Sequence, residues 1–340
     1  MRLSLKRHRF LRPESLALIA KLIAASAWTV RRRSIRIVHA GKVLPEGIAA
    51  RFVRKLTGVP YIVYTHGEEL TVVASNPAYK RHFDRLRTVY NDAAAVIANS
   101  GFTRDELVRF GVEPERIVCI TPGVDPSFFS PGPKDPEILR NYGLEGKTVL
   151  LSVGRLQKRK GHDFVLRALP RVLAEHPELV YVIVSDGEER GYLEELARQL
   201  GIEESVRFVG EVPFDALPRW YHTCDLFILA NRRMENGDVE GFGIVFLEAS
   251  SCAKPVIAGD SGGTADAVRE SFNGLRIDAS DPPNISAAIL RLLRDPDLRR
   301  RLGENGRRLV EAEHGWDTVA GKIRALSSAV ADGGGAPVQE

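Results

Sequence analysis

Two stretches of the chain carry residues whose types and spacing suit chemistry on an anionic ligand. The first is Gly154-Arg155-Leu156-Gln157-Lys158-Arg159-Lys160-Gly161, with four cations within six residues, between an apolar run and a helical pattern. At a strand-to-helix turn, cations stand beside the free amides of a helix N-terminus, and together they suit a multiply charged anion. The bland alternative is a solvated basic loop. Arg155 fits that alternative least, because it follows directly on the strand. The second stretch is Glu240-Gly241-Phe242-Gly243-Ile244 with Glu248 beyond it. Glu240 falls in a loop and Glu248 about two turns into a helix. A rise of 1.5 Å per residue leaves the two carboxylates up to about 12 Å apart. They are then too far apart to share a proton and act as separate contacts along an extended ligand. Gly241 and Gly243 let backbone amides approach anionic oxygens closely. The same spacing recurs at Glu137/Glu145, Glu195/Glu203 and Glu203/Glu211, so only the glycine-bracketed context sets Glu240/Glu248 apart.

A third turn, Gly259-Asp260-Ser261-Gly262-Gly263-Thr264, again joins a strand to a helix and offers its amides, those of Gly262 and Gly263 among them, as an anion nest. Nearer the N-terminus, Tyr64-Thr65-His66-Gly67 places His66 at a strand end, where a structural and a functional histidine are equally expected. The chain has no HExxH, GxSxG or intact Walker loop, and no GxGxxG after a strand. Its one Asp-x-Asp, Asp295-Pro296-Asp297, reads as a turn between two helical stretches. The expected chemistry is therefore a diphosphate neutralised by Arg and Lys, with no metal and no cofactor.

The elements that must position these turns alternate along the chain. Apolar, β-branched runs occur at residues 35–39, 61–64, 95–98 and 117–120, then at 149–153, 180–185, 206–209, 226–229 and 255–258. Helical patterns lie between them at 47–56, 104–110, 162–175, 191–200 and 244–252. Continuous apolar strands alternating with amphipathic helices indicate parallel sheets covered on both faces. Ser130-Pro-Gly-Pro-Lys-Asp-Pro136 is rich in residues that stop helix and strand and reads as a linker. The division expected is an N-terminal Rossmann-like domain over 1–130, a linker over 131–146 and a second Rossmann-like domain over 147–316. A helix over 317–330 and a disordered tail over 331–340 complete it. Ligands of such α/β halves bind at strand C-terminal ends, in the crevice between domains.

The 340 residues carry a net charge of +4, but residues 1–36 alone hold ten Lys/Arg and one acid, against 38 bases and 43 acids in the rest. Such a segment attracts anionic partners, lipid headgroups or phosphates among them, with an anionic membrane surface as the expected contact, and a solvated helix face with its flanks is the equal alternative. No helix-turn-helix, zinc-finger or aromatic-basic RNA motif accompanies the charge, so nucleic acid is not an expected partner. No apolar run reaches the ~18 residues of a membrane span. The run Ser15–Val30, with Ala25-Ser26-Ala27 after it begins, imitates a secretory signal, but Lys21 interrupts it, and a helix starting near Pro13-Glu14-Ser15 is the better reading. Cys119, Cys224 and Cys252 form no metal-ligand spacing and read as reduced core thiols of a cytoplasmic protein.

Taken together, Gly154-Arg155 with Lys160-Gly161, the Glu240-Gly-Phe-Gly…Glu248 segment, the Gly259–Thr264 turn and Thr65-His66-Gly67 resemble glycosyltransferase family 4, the retaining enzymes of GT-B fold. The wording of residues 237–250 and 259–264 is most similar to the phosphatidylinositol-mannoside mannosyltransferase branch. The resemblance implies two Rossmann-like domains facing a cleft and a nucleotide-sugar donor, GDP-mannose in that branch. It also implies a lipid-linked or glycan acceptor, and work at the inner membrane surface. Arg155 and Lys160 would bind the diphosphate and stabilise charge on the leaving group. Glu248 would hold the ribose. Glu240 with the amides of Gly241 and Phe242 would hold the sugar, which His66 would help to orient. Gly154, Gly243, Ile244, Gly262 and Gly263 would complete the donor site. Transfer would retain the anomeric configuration by front-face attack, since no carboxylate is placed as a nucleophile. Domain closure would exclude water. Two departures stand out. The chain starts beyond the βαβ unit with which family members begin, so the first domain is expected to be abridged, through a truncated gene model or a true loss. Ser185-Asp186-Gly187-Glu188 stands where the family often has Gly-x-Gly-Pro. A nucleotide-sugar-binding or membrane-scaffold protein without activity, or a sugar-nucleotide epimerase, are the competing expectations.

Overall fold

A computed structural model describes residues 13–74 and 80–334. The chain forms two compact units. One comprises the residues up to Ile120 together with those from Ala320 onward, the other Thr121–Val319.

The first unit begins with α1 (Pro13–Arg32) and β1 (Val38–Ala40), followed by α2 (Ile48–Thr57), β2 (Tyr61–Thr65), α3 (Glu68–Ala74), α4 (Lys80–Asn91), β3 (Ala95–Ala98), α5 (Gly101–Arg109) and β4 (Ile117–Cys119). The four strands make a parallel sheet in the order β1-β2-β3-β4, with Val63 opposite Val96 and Ile97 opposite Val118. The side chains of the central strands β2 and β3 are almost all buried, as a sheet covered on both faces requires, while edge strand β1 leaves His39 exposed. Local chemistry sets the helix ends. Gly58 takes φ +77° to stop α2, and the Ser100 hydroxyl accepts the Thr103 amide to start α5. Strand β1 begins at Val38 rather than at residue 35, because pairing starts only where Tyr61 stands opposite.

The second unit contains α6 (Pro136–Asn141), β5 (Thr148–Val153), α7 (His162–Glu175), β6 (Leu179–Val184), α8 (Arg190–Gln199), β7 (Val206–Gly210), α9 (Leu217–Thr223) and β8 (Leu226–Leu229). It continues with α10 (Ile244–Ser251), β9 (Val256–Gly259), α11 (Thr264–Ala267), β10 (Gly274–Ile277), α12 (Pro282–Arg294), α13 (Pro296–Leu309) and the start of α14 (Trp316–Ala331). Six parallel strands run in the order β10-β9-β8-β5-β6-β7. The chain winds outward first one way and then the other from the β5/β8 pair, so the topological switch lies there. Alternation along β5 feeds two cores. Leu150 joins Val165 and Leu169 of α7 and Ile289 and Leu292 of α12 on one face. Val149, Leu151 and Val153 join Phe227 and Leu229 of β8 and Phe246 and Leu247 of α10 on the other.

Three features differ from the sequence reading. The Pro-rich segment around residues 131–146 sits wholly within the second unit and carries a helix of its own. Pro136 occupies its first turn, and the Asp135 carboxylate caps it by accepting the amides of Glu137 and Ile138. The residues that interrupt structure there also start it. Strand β10, Gly-Leu-Arg-Ile, lacks the β-branched run that marks its neighbours and is absent from the strands read above. The C-terminal helix α14 begins in the second unit and ends in the first, where Arg36 donates to the Ala331 carbonyl at 3.1 Å. Residues 335–340 of the expected tail lie outside the described residues.

Candidate active site

The site grows from the C-terminal ends of β5 and β8. After Val153 the chain turns through Gly154, makes a single 3-10 turn at Lys158–Lys160, and enters α7 through Gly161 at φ +72°. A Cβ on Gly161 would overlap the Ala230 carbonyl at the end of β8, so only glycine lets the two strand-end loops meet. In a 3-10 turn neighbouring side chains point about a third of a revolution apart. Lys158 is exposed, whereas the side chains of Arg159 and Lys160 are each 13% exposed and turn toward the β8 loop.

That loop presents Glu240. Its Oε2 accepts from Lys160 Nζ at 2.6 Å and from Arg159 Nη1 at 2.8 Å. Its Oε1 takes no hydrogen bond from any described residue. Burial alone would push the Glu240 carboxyl up, but the Lys160 and Arg159 charges together outweigh it and hold the pKa below the ordinary value. The third turn locks the loop from behind. The Gly263 amide donates to the Glu240 carbonyl at 2.9 Å, and Gly262, at φ +59°, has no room for a Cβ against that same carbonyl. Gly243, at φ +90°, ends the loop and caps α10. The amides of Gly241 and Phe242 donate to no described residue. Phe242 is buried, and Ile244, the first residue of α10, is exposed.

Glu248 lies in the fifth position of α10, just over one turn in rather than two, because the helix starts as soon as Gly243 has turned the chain. It is 6% exposed and accepts the Tyr221 hydroxyl at 2.6 Å. Burial raises its pKa, only partly opposed by Tyr221. A carboxyl whose folded-state pKa exceeds its unfolded value binds its proton more tightly in the folded chain. Stability is then greatest below the unfolded value and falls as pH rises through the folded one. Glu248→Gln keeps an acceptor for Tyr221 and removes the buried charge. Its Tm should exceed that of the parent at pH 7, and the gain should vanish on acidification below the ordinary carboxylate range. Thermal unfolding across that range measures this.

Arg155 is exposed, and its carbonyl accepts the Gln157 amide at 2.8 Å, but no described residue pairs with its guanidinium, which leaves that group for a ligand. His66 belongs to the first unit, at the end of β2. Its Nε2 lies 3.1 Å from the Gly41 carbonyl, and its own amide donates to Glu69 Oε1 at 2.9 Å. A carbonyl oxygen only accepts, so Nε2 carries a proton in this contact. Within the second unit the structure thus gathers Lys160, Glu240 and the Gly262-Gly263 turn around the β5/β8 switch, with Arg155 on the same loop.

Sequence reasoning gave no role to several residues here. Arg159 was one of four loop cations, and only the 3-10 turn shows which of them face inward. Arg232 grips Asp163 of α7 through two hydrogen bonds of 2.8 and 3.1 Å and donates its amide to the Arg159 carbonyl at 2.9 Å. Buried His162 pairs through Nδ1 with the Tyr181 hydroxyl at 3.0 Å, and burial together with the Lys160 charge lowers its pKa to about 4, so it is neutral. Asp295, of the Asp-x-Asp turn, caps α13 by accepting the Leu298 amide. Among the described residues no group of three or more His, Cys, Asp and Glu is placed to hold a metal ion.

Residues 134–309 match the family described as Glycosyl transferases group 1, and residues 3–128 match Glycosyltransferase Family 4. The chain belongs to glycosyltransferase family 4. It is a hexosyltransferase of GT-B fold. The GDP-mannose-dependent alpha-(1-6)-phosphatidylinositol monomannoside mannosyltransferase of Mycolicibacterium smegmatis is 32% identical over 301 residues, which span 88% of this chain and 78% of that one. A monoacylated-substrate counterpart from Corynebacterium glutamicum is 31% identical over 303 residues, with 88% and 78% covered. Among solved structures, Anabaena HepE in complex with UDP superposes with a TM-score of 0.79 at 21% identity, over 92% of this chain and 82% of that one. Sucrose-phosphate synthase of Thermosynechococcus elongatus gives 0.79 at 23% identity, over 97% and 81%. At those identities the two structures speak for the fold.

Proposed function

We propose that this glycosyltransferase moves mannose from GDP-mannose to a lipid-linked acceptor of the phosphatidylinositol monomannoside kind, retaining the anomeric configuration and using no metal ion. The observation that carries the reading is the convergence of the Lys160 ammonium, the Glu240 carboxylate and the glycine-rich turns at the sheet's switch point. The similarity to GDP-mannose-dependent enzymes over most of the chain supports the choice of donor. Arg155 and Lys160 hold the diphosphate and stabilise charge that grows on the leaving phosphate. Glu248 takes the ribose hydroxyls. Glu240, ionised and with Oε1 open, accepts from a sugar hydroxyl, while the amides of Gly241 and Phe242 donate to the sugar. Gly154, Gly243, Ile244, Gly262 and Gly263 shape the walls. His66 helps to orient the sugar.

The reading extends to the inner membrane surface. Among the described residues no helix is long and apolar enough to cross a membrane. In the first unit, Trp28 of α1 and Phe52 and Leu56 of α2 are exposed beside Arg31, Arg32, Arg54 and Lys55, all of them exposed too. Aromatic and cationic side chains together suit an anionic lipid surface. The five basic residues before Pro13 lie outside the described residues.

One experiment tests both parts. The purified chain is given GDP-mannose, phosphatidylinositol monomannoside in anionic vesicles, and EDTA. Mannose should enter the lipid fraction at an undiminished rate, and the protein should sediment with vesicles at low salt and leave them at high salt. Donor binding without turnover makes the chain a nucleotide-sugar-binding protein, and a new sugar nucleotide without transfer makes it an epimerase. Either result overturns the proposal, and salt-indifferent sedimentation overturns its membrane part.

A further inference from the structure

Arg159 and Lys160 are adjacent cations on one carboxylate oxygen, yet the structure holds them very differently. Lys160 is held at its backbone, where its amide donates to the Gln157 carbonyl at 2.9 Å, but its side chain meets Glu240 through the ammonium alone, at the end of a flexible stem. Arg159 is fastened at several points. Its carbonyl accepts the Arg232 amide, and Arg232 is itself chelated by Asp163. Its Nη1 donates to Glu240, and its Nε stands 3.2 Å from Asp238 Oδ1 as an ion pair that is not hydrogen-bonded. A planar guanidinium set between two carboxylates keeps its orientation, whereas a lysine ammonium is a mobile point charge.

In the reading above, Lys160 holds the donor diphosphate, a role that would take its ammonium off Glu240. The carboxylate, buried to 12% side-chain exposure, then loses one of its two cations. An unpaired buried carboxylate tends to take up a proton. A protonated Glu240 would no longer be the full acceptor that a sugar hydroxyl needs. We propose that Arg159 is a positioning residue that holds Glu240 ionised, with Oε1 aimed at the transferred sugar, once Lys160 has gone over to the diphosphate. The two neighbours thus divide the work, Lys160 for the leaving group and Arg159 for the sugar-holding carboxylate. The charged groups that act directly on Glu240 are Lys160 and Arg159 from the β5–α7 loop. Asp238, from the carboxylate's own loop, offsets part of the Arg159 charge.

The inference rests on the proposed donor reading, and the test separates the two. Arg159→Gln, Arg159→Lys and Lys160→Gln are compared for GDP affinity by calorimetry and for the pH dependence of kcat with GDP-mannose. Arg159→Gln should keep GDP affinity within about threefold, lower kcat at least ~10-fold and move the acidic limb of the profile upward by about one pH unit, because Glu240 then protonates more readily. Arg159→Lys should return the limb part of the way. Lys160→Gln should lose GDP affinity. A folded Arg159→Gln with an unmoved limb overturns the inference. So does a loss of GDP affinity equal to that of Lys160→Gln, which would make Arg159 a second diphosphate ligand. If Arg159→Gln does not fold, Arg159→Lys decides. A shift of its limb to higher pH, with GDP affinity kept, supports the role, and an unmoved limb overturns it. Unchanged GDP affinity in Lys160→Gln overturns the donor reading instead, whatever the Arg159 variants do.

Discussion

Lys160→Ala should lower sugar transfer at least ~10²-fold while leaving the protein folded, and Glu240→Ala should lower it as much at a greater cost in stability. Removing a charge aimed at the leaving group or the reacting sugar typically costs about 10²–10³ in kcat. The difference in stability follows from the ion pairs. Without Lys160, Glu240 keeps Arg159 at 2.8 Å. Without Glu240, two cations that are each 13% exposed face one another with no carboxylate between them, relieved only by Asp238 at 3.2 Å from Arg159. Breaking a buried pair from one side costs roughly 3–5 kcal/mol, and partial access to water reduces that figure here. Transfer rates with saturating donor and thermal unfolding of both variants measure the two effects. Activity within a few-fold of the parent in either variant would remove that residue from the reaction.

Gly161→Ala should be the more damaging of two glycine substitutions that look alike on paper. Gly143 and Gly161 both have left-handed backbones, at φ +63° and φ +72°. A Cβ on Gly143 meets nothing within 4 Å, whereas on Gly161 it overlaps the Ala230 backbone. Gly143→Ala should therefore cost only the ~1–2 kcal/mol of a left-handed non-glycine residue. Gly161→Ala adds a forced separation of the β5 and β8 loops and should reach about 4 kcal/mol or more. It should also abolish transfer, because that separation moves the whole cation-bearing turn, Arg159 as well as Lys160, away from the loop that carries Glu240. Denaturant unfolding of the pair, with parent-like stability in both, would show that the approach at Ala230 is dispensable.

Much of the architecture was legible because parallel strands buried on both faces leave an unmistakable trace. Val149–Val153 and Leu226–Leu229 could hardly be anything else, and the reactive turns follow such strands directly. The matched family and the two parallel sheets agree with that reading. What escaped it has physical reasons. Strand β10 is short and contains an arginine, so its burial comes from β9 and α12 rather than from its own composition. The unit boundary at Ile120/Thr121 is marked only by Pro122-Gly123 and Pro126, fewer interrupting residues than the run over 130–136, and that denser run was recruited into a capped helix. The choice between Lys158, Arg159 and Lys160 depends on the rotation of a single 3-10 turn, which local composition does not encode. The depth of Glu248 depends on where Gly243 lets α10 begin.

The placement of helix α14 bears on how the molecule is made. The first unit is discontinuous in sequence, and part of what closes it is the final helix, where Arg36 pairs with Asp332 and His39 meets Ser327. During synthesis, when domains fold as their residues emerge, the second unit can be complete while the first still awaits its last element. Whichever half of the protein starts earlier on the ribosome finishes later, so quality control of the nascent chain would find its vulnerable target at the N-terminal half.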